Sequence, residues 1–205
     1  KIVEKSPQVR LPSVIRFGRF CFNAFIIDKN MIIFVNLMRK IFLATLSGIL
    51  LSFAWPAIGF FPFIFFAFVP LLILEEEEKN GKTLFFYSSI AFLIFNILTT
   101  YWVWYATPSG SIIAFLVNSF LMSSAFLIFH KLKKATNNRL GYLAFVVCWL
   151  AFEYFHLNWD LSWPWLTLGN VFANATDIVQ WYEYTGILGG TLWVLLINVL
   201  IFRLA

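Results

Sequence analysis

One stretch in the last third of the chain combines ionisable and aromatic side chains that could act on a ligand. Glu153 and His156 stand three residues apart in an apolar segment, so on a helix they share one face and could hydrogen-bond or form an ion pair. Trp163-Pro164-Trp165 follows, and its proline favours a stiff turn that presents both indole rings. Because a carboxylate inside a bilayer is costly, Glu153 either orients a polar group of a substrate or ties helix ends together near the interface.

The sequence shows no catalytic centre of a recognisable kind. Cys148 lies in an apolar segment that disfavours a thiolate, so we expect a small buried hydrophobic side chain there. No nucleophile is accompanied by a base and an orienting acid, and no phosphate loop or metal-ligand spacing is present. We therefore predict no catalytic residue, no metal site and no cofactor within these 205 residues.

The composition indicates the environment in which these residues act. Of 205 residues, 61% are hydrophobic and only 12% are charged, and the mean hydropathy is +0.82. Soluble domains average about 25% charged residues. The composition is therefore typical of a membrane protein, and it excludes a soluble enzyme core and a nucleic-acid-binding protein.

Apolar segments that approach the length of a membrane span recur along the chain. A helix needs about 20 apolar residues to cross a hydrocarbon core of about 30 Å. We predict an all-α, polytopic transmembrane helical bundle of about six helices, with spans at 41–55, 58–74, 83–105, 111–130, 140–157 and 185–203.

Basic residues lie on one side of this predicted bundle. All fifteen Lys and Arg residues fall in segments 1–40, 75–82, 131–139 and from 203 onward. Basic residues stay on the cytoplasmic side, so we predict that these segments and the N-terminus are cytoplasmic. The acidic run Glu75–Glu78 lies there too, and we interpret it as a solvated helix end beside two lysines.

Aromatic residues show the opposite distribution. Seven of nine tryptophans fall at or beyond the outer helix ends, namely Trp55, Trp102, Trp104, Trp159, Trp163, Trp165 and Trp181, and Tyr105 stands beside them. An interfacial belt has Trp and Tyr on both faces. The outer face therefore either handles a large amphipathic molecule or carries a lopsided belt.

The first residues differ in composition from the rest. Residues 1–30 carry six Lys or Arg and two prolines, and Met31 or Met38 is the expected start of the natural protein. We predict that residues 1–37 form a basic N-terminal extension outside the fold, and that residues 38–205 form the transmembrane domain. A basic amphipathic arm on the membrane surface is the alternative for the extension.

The order of several motifs resembles a known family. Segments Leu51–Leu72, Thr99–Gly110, Trp149–Asn170 and Tyr184–Leu200 follow one another as in the N-terminal membrane domain of the apolipoprotein N-acyltransferases. The family pattern has a Glu near a helix end, an aromatic-Pro-Trp and a Gly four residues after that Trp. Here these are Glu153, Trp163-Pro164-Trp165 and Gly169.

Three positions depart from the family pattern. Family members usually carry an Arg-Gly pair where this chain has His156 and Leu157, and a Gly where it has Ser162. The resemblance therefore implies a titratable pair of Glu153 and His156 in place of a fixed Glu-Arg pair.

The resemblance implies a two-step acyl transfer. A cysteine of the family's nitrilase-like domain takes an acyl chain from a membrane phospholipid and passes it to the diacylglyceryl-cysteine at a lipoprotein's N-terminus. The resemblance covers only the family's N-terminal part, and the 205 residues do not include the nitrilase-like domain with its Glu-Lys-Cys triad. We expect this stretch alone to be inactive, although the full-length family is an acyltransferase.

The resemblance also implies a role for this membrane domain in the bacterial inner membrane. It would anchor the catalytic domain and help to form the access route for lipid substrates. The candidate lipid-binding residues are Glu153, His156, Trp163, Pro164, Trp165, Trp102 and Tyr105. A non-catalytic membrane scaffold and a small transporter subunit are the alternatives, and the lack of internal repeats speaks against the transporter.

Overall fold

The computed structural model describes residues 14–136, 140–160 and 162–204, with side chains described from residue 29 onward. These residues form seven α-helices: α1 (Val14–Ala54), α2 (Val69–Glu77), α3 (Gly81–Thr100), α4 (Val103–Ala106), α5 (Pro108–Ala135), α6 (Gly141–Leu157) and α7 (Tyr182–Leu204). Short 3₁₀ helices lie at Phe61–Phe65, Pro164–Leu166, Leu168–Phe172 and Thr176–Ile178. The predicted all-α membrane bundle is confirmed.

Four segments are long and apolar enough to cross a membrane: Lys29–Ala54, Gly81–Thr100, Pro108–Ala135 and Tyr182–Leu204. The apolar helix α6 is shorter, and like α5 and α7 it coincides with a predicted span. The predicted span 83–105 is wrong as a single helix, because α3 ends at Thr100 and α4 follows it as a separate short helix.

The predicted span 58–74 is wrong as a single helix. It forms a 3₁₀ helix and the start of α2, each with a proline in its first turn. Proline lacks an N–H and suits the first turn of a helix, so Pro62 and Pro70 begin two short helices rather than continue one.

The chain divides into two compact units, Lys1–Arg39 and Lys40–Ala205. In the first unit, the described side chains from Lys29 to Arg39 are exposed on α1. The predicted extension 1–37 falls largely on residues whose side chains are outside the described part, and its boundary stays a prediction.

In the second unit, antiparallel helices pack around an aromatic core. Hydrogen bonds join α3 to α5 at Ser89–Ser123 and at Asn96–Asn118. Phe68 lies at the centre, with its ring 5.4 Å from that of Phe145. The helix termini therefore lie at two opposite ends of the unit.

We name the two ends by what they contain. The ion-cluster end holds the C-termini of α2, α5 and α7 and the N-termini of α3 and α6. The cavity end holds the C-termini of α3 and α6, the N-termini of α5 and α7, and residues 158–160 and 162–181. The basic residues described from Lys40 onward lie at the ion-cluster end: Lys40, Lys79, Lys82, Lys131, Lys133, Lys134 and Arg203.

Candidate functional site

The ion-cluster end contains a buried carboxylate between two partners. Glu75, which is 3% exposed, accepts from the Lys133 Nζ at 2.7 Å, and its other oxygen lies 2.7 Å from His130 Nδ1. The interpretation of Glu75–Glu78 as a solvated helix end is therefore wrong for Glu75. The side chains of His130 and Lys133, which reach Glu75 from α5, enclose this carboxylate, and the local sequence does not reveal that.

Neighbouring groups extend this ion cluster. Lys133 also bonds Glu76, which in turn accepts from the Tyr142 hydroxyl at 2.6 Å. The hydrogen bond from Lys133 is the main cause that lowers the pKa of Glu76, and the Tyr142 hydroxyl acts in the same direction. The result is a paired network that joins α2, α5 and α6.

At the cavity end, Glu153 of α6 is also buried, but its partners are neutral. Its Oε1 accepts from Trp149 Nε1 at 3.0 Å and from the backbone N–H of Leu168 at 2.9 Å. Its Oε2 accepts from the Thr191 hydroxyl at 2.6 Å. One carboxyl group thus links α6, the segment after Pro164 and α7.

The predicted pairing of Glu153 with His156 does not occur. Neither ring nitrogen of His156 has a hydrogen-bond partner among the described residues. The imidazole instead stacks on Phe152, with ring centroids 5.3 Å apart. The two residues share a helix, but the donors to Glu153 are Trp149 one turn earlier on α6, the backbone of Leu168, and Thr191 of α7.

Gly169 completes the anchoring of that segment on α7. Its N–H donates to Thr191 Oγ1 at 3.1 Å, and its carbonyl accepts from the Tyr182 hydroxyl at 3.0 Å. A Cβ at this position would overlap the carbonyl oxygen of Ile187. The backbone approach therefore requires a glycine at the position that the family pattern singles out.

Beside this anchor lies a cavity of about 390 Å³ between α5, the end of α6 and the residues that follow it. His156 and Trp163, both predicted site residues, line it together with Trp159 and Asn118. A much smaller pocket adjoins it and is lined by Glu153, His156 and Trp163. The structure thus brings three of the predicted residues to one place.

The other predicted residues lie outside this cavity lining. Pro164 begins a 3₁₀ helix, and its carbonyl accepts from Asn170 Nδ2 at 2.7 Å. Trp165 is exposed and packs edge-to-face on Trp102, with ring centroids 5.6 Å apart. Tyr105 is 83% exposed. These aromatic rings form an apolar surface at the cavity end.

Sequence reasoning missed Asn118 of the cavity, and it placed Trp159 only in the general group of outer tryptophans. It considered ionisable groups at membrane depth and passed over neutral amides. The available signal was the pair Asn96 and Asn118, two amides in apolar spans, which hydrogen-bond each other at 2.7 Å. Polar side chains in a bilayer tend to face the bundle interior.

Comparisons with known proteins place these features in a family. The family model described as the apolipoprotein N-acyltransferase N-terminal domain matches residues 47–200. A protein of Chlorobaculum tepidum named apolipoprotein N-acyltransferase is 34% identical over 171 residues, which cover 82% of this chain and 32% of that protein. One of the same name from Geobacter metallireducens is 26% identical over 175 residues, covering 81% and 33%.

The chain spans about a third of the length of these curated relatives. No solved structure matches.

Proposed function

Because the chain belongs to the apolipoprotein N-acyltransferase family, we propose that it is the membrane-embedded N-terminal part of an enzyme that N-acylates lipoproteins. The acyl donor is a membrane phospholipid, and the acceptor is the diacylglyceryl-cysteine at the lipoprotein's N-terminus. The family match over residues 47–200 carries this proposal.

Within that enzyme, this part anchors the catalytic domain and forms part of the lipid access route. The cavity end has the features that such a route needs. His156 and Trp163 line a cavity, while Trp102, Trp165 and Tyr105 are exposed around it. Trp and Tyr favour membrane interfaces because one part of the ring system is apolar and another is polar.

The proposed location is the bacterial inner membrane, crossed several times, with a cytoplasmic N-terminus. The gathering of basic residues at the ion-cluster end supports this orientation, because Lys and Arg are retained on the cytoplasmic side. The cavity end then faces outward, where both lipid substrates are anchored.

Cysteine labelling tests the orientation. Single cysteines are placed at Ser109, Ala173 and Ala135 after Cys21 and Cys148 are replaced by serine; the three positions are exposed. An impermeant reagent added to intact cells should label positions 109 and 173 at the cavity end, and not position 135. Labelling of position 135 from outside would reverse the orientation and contradict the access role.

Acyl transfer tests the function. The complete gene product, including everything encoded after Ala205, is expressed in cells depleted of their own N-acyltransferase, and lipoprotein N-termini are analysed by mass spectrometry. We expect N-acylation, and no activity from residues 1–205 alone. Absence of N-acylation by the folded complete protein would support a non-catalytic scaffold instead.

One variant tests the access role within the same assay. Trp165→Ala should lower turnover of the lipid substrates while leaving the helix content unchanged, because it removes an exposed ring of the cavity end. Phe86→Ala is the control, since Phe86 is similarly exposed but lies near the N-terminus of α3, at the ion-cluster end. Equal losses in both variants would argue against the role of Trp165.

A further inference from the structure

Several polar atoms around the cavity are buried and lack partners. They are Nδ1 and Nε2 of His156, Nε1 of Trp159, Nε1 of Trp163 and Oδ1 of Asn118, none of which has a hydrogen-bond partner among the described residues. His156 and Asn118 are only 8% and 5% exposed. Buried polar groups in native proteins are nearly always satisfied, so such a cluster indicates that something else bonds there.

The chemistry of these atoms favours an acceptor as ligand. The indoles of Trp159 and Trp163 can only donate, a neutral imidazole offers one donor and one acceptor, and Asn118 Oδ1 is a second acceptor, so donors outnumber acceptors by three to two. A carbonyl oxygen is the natural partner of such N–H groups, and its two lone pairs could accept from both indoles.

The charges around the cavity disfavour a phosphate in the same place. No Lys or Arg occurs among the described residues that line it, whereas Asp160 does. Phosphate groups in proteins are usually held by Arg or Lys, and a carboxylate repels them. The acceptor is therefore an uncharged one.

The cavity wall indicates what surrounds that acceptor. Ile113, Val117 and Leu121 of α5 contribute an apolar side to it. Ile113 and Val117 are 62% and 43% exposed, so this side is continuous with the surface of a helix that is apolar enough to span the membrane. The ligand therefore carries hydrocarbon next to its carbonyl group.

We propose that this cavity binds an acyl-ester group of a glycerolipid, with the ester carbonyl accepting from Trp159 and Trp163 and the acyl chain lying along α5. A volume of about 390 Å³ is at the lower end of the range for small-molecule pockets, about 300–1,000 Å³, and holds one segment of a lipid. The charged headgroup stays outside. This inference rests on the proposed function and deepens it, because phospholipid and diacylglyceryl-cysteine both carry acyl esters.

Paired lipids that differ only in the linkage test the inference. The full-length protein in detergent is titrated with diacyl phosphatidylglycerol and with the dialkyl ether analogue of equal chain length, and bound lipid is counted by native mass spectrometry. The ether lipid lacks the carbonyl oxygens. A neutral hydrogen bond changes affinity by roughly two- to tenfold, so the diacyl lipid should bind tighter by about that factor.

Conservative variants assign the preference to the cavity. Trp159→Phe and Trp163→Phe keep an aromatic ring and remove the N–H, so each should reduce the preference for the diacyl lipid. Trp104→Phe is the control, because Trp104 is exposed and does not line the cavity. A diacylglyceryl-cysteine peptide and its ether analogue, titrated in the same way, show which of the two substrates the cavity takes.

Each outcome decides the matter. Equal binding of diacyl and dialkyl lipids by the unaltered protein overturns the inference, and water then satisfies the polar atoms. A preference that survives when both indole N–H groups are removed also overturns it. Because N-acylation is measured separately, lost ester preference in an active enzyme would leave the proposed function intact.

Discussion

The two ends of the bundle both bury polar side chains, but they treat them differently. At the ion-cluster end, Glu75 meets Lys133 and His130 at hydrogen-bond distance. At the cavity end, His156 and Trp163 have buried nitrogens without partners among the described residues. Glu153 lies at the same end and is fully bonded to neutral donors.

Buried polar groups with partners in the protein stabilise the fold, whereas those without partners are available to a ligand. Removing one partner of a buried pair leaves the other uncompensated, and the cost appears as lost stability. Removing a group that has no partner in the protein costs little stability and alters binding instead. Substitutions at the two ends should therefore have opposite signatures.

The largest effect is expected at the ion-cluster end. Glu75→Ala leaves Lys133 and His130 without their shared carboxylate, and breaking a buried pair typically costs about 3–5 kcal/mol of unfolding free energy. Reversible unfolding of the protein in detergent measures it. Glu183→Ala, at an exposed acidic position of α7, is the control and should change little. A Glu75→Ala protein as stable as the control would remove the distinction between the two ends.

A smaller loss is expected when Glu153 is replaced. Glu153→Ala leaves the donors of Trp149, Leu168 and Thr191 unpaired, at about 1–3 kcal/mol for a buried group left unsatisfied. Glu153→Gln should cost less, since its amide oxygen can still accept from Trp149 and Leu168. Thermal unfolding beside acyl transfer distinguishes the roles. Activity lost only in proportion to folded protein assigns Glu153 to structure, whereas excess loss assigns it to the substrate.

Two tryptophans provide the sharpest comparison at a single end. Trp149→Phe removes a hydrogen bond to Glu153, worth about 0.5–1.5 kcal/mol, and leaves a space in the core as well. Trp163→Phe removes an N–H that has no partner among the described residues, and its ring volume is lost at a half-buried position, so the loss of stability should be smaller. Chemical unfolding of both variants tests the contrast. Equal destabilisation would indicate that Trp163 is bonded within the protein.

The smallest expected effect is on the stability of the protein at acidic pH. Hydrogen bonds from Lys133 and then Tyr142 lower the pKa of Glu76 in the folded protein. A depressed carboxyl pKa stabilises the fold above the unfolded value, about 4.3 for Glu. That contribution is lost as pH falls through the lower folded value. Glu76→Gln should therefore flatten the stability profile below about pH 5. Because Glu76 is exposed, the change should be slight.

Much of the bundle could be predicted from the lengths of the apolar runs alone. The predicted spans 111–130, 140–157 and 185–203 each lie within or close to one helix, because a run of apolar residues of that length in lipid must satisfy its backbone hydrogen bonds internally. Two predicted spans were wrong as single helices. Two prolines divide segment 58–74 into short helices, and segment 83–105 contains the end of α3 and the separate helix α4.

The site was predictable only in part. The motif around Glu153, Trp163 and Gly169 identified the right region, and Gly169 proved to be required by its contact with α7. The predicted partner of Glu153 was wrong, because His156 was the nearest polar residue in sequence, whereas Thr191 is the nearest across the bundle. Contacts between helices are not encoded in local spacing.

By itself, the sequence determined that the chain is an α-helical membrane protein, which family it resembles, and that its basic residues gather in the same few segments. These properties depend on composition, length and order, which need no knowledge of contacts. Only the tertiary structure decided which buried polar groups are paired. Glu75 looked solvated and is enclosed, while His156 looked paired and has no hydrogen-bond partner in the described part of the chain. Whether a polar atom is satisfied depends on side chains brought from other helices, and packing alone brings them there.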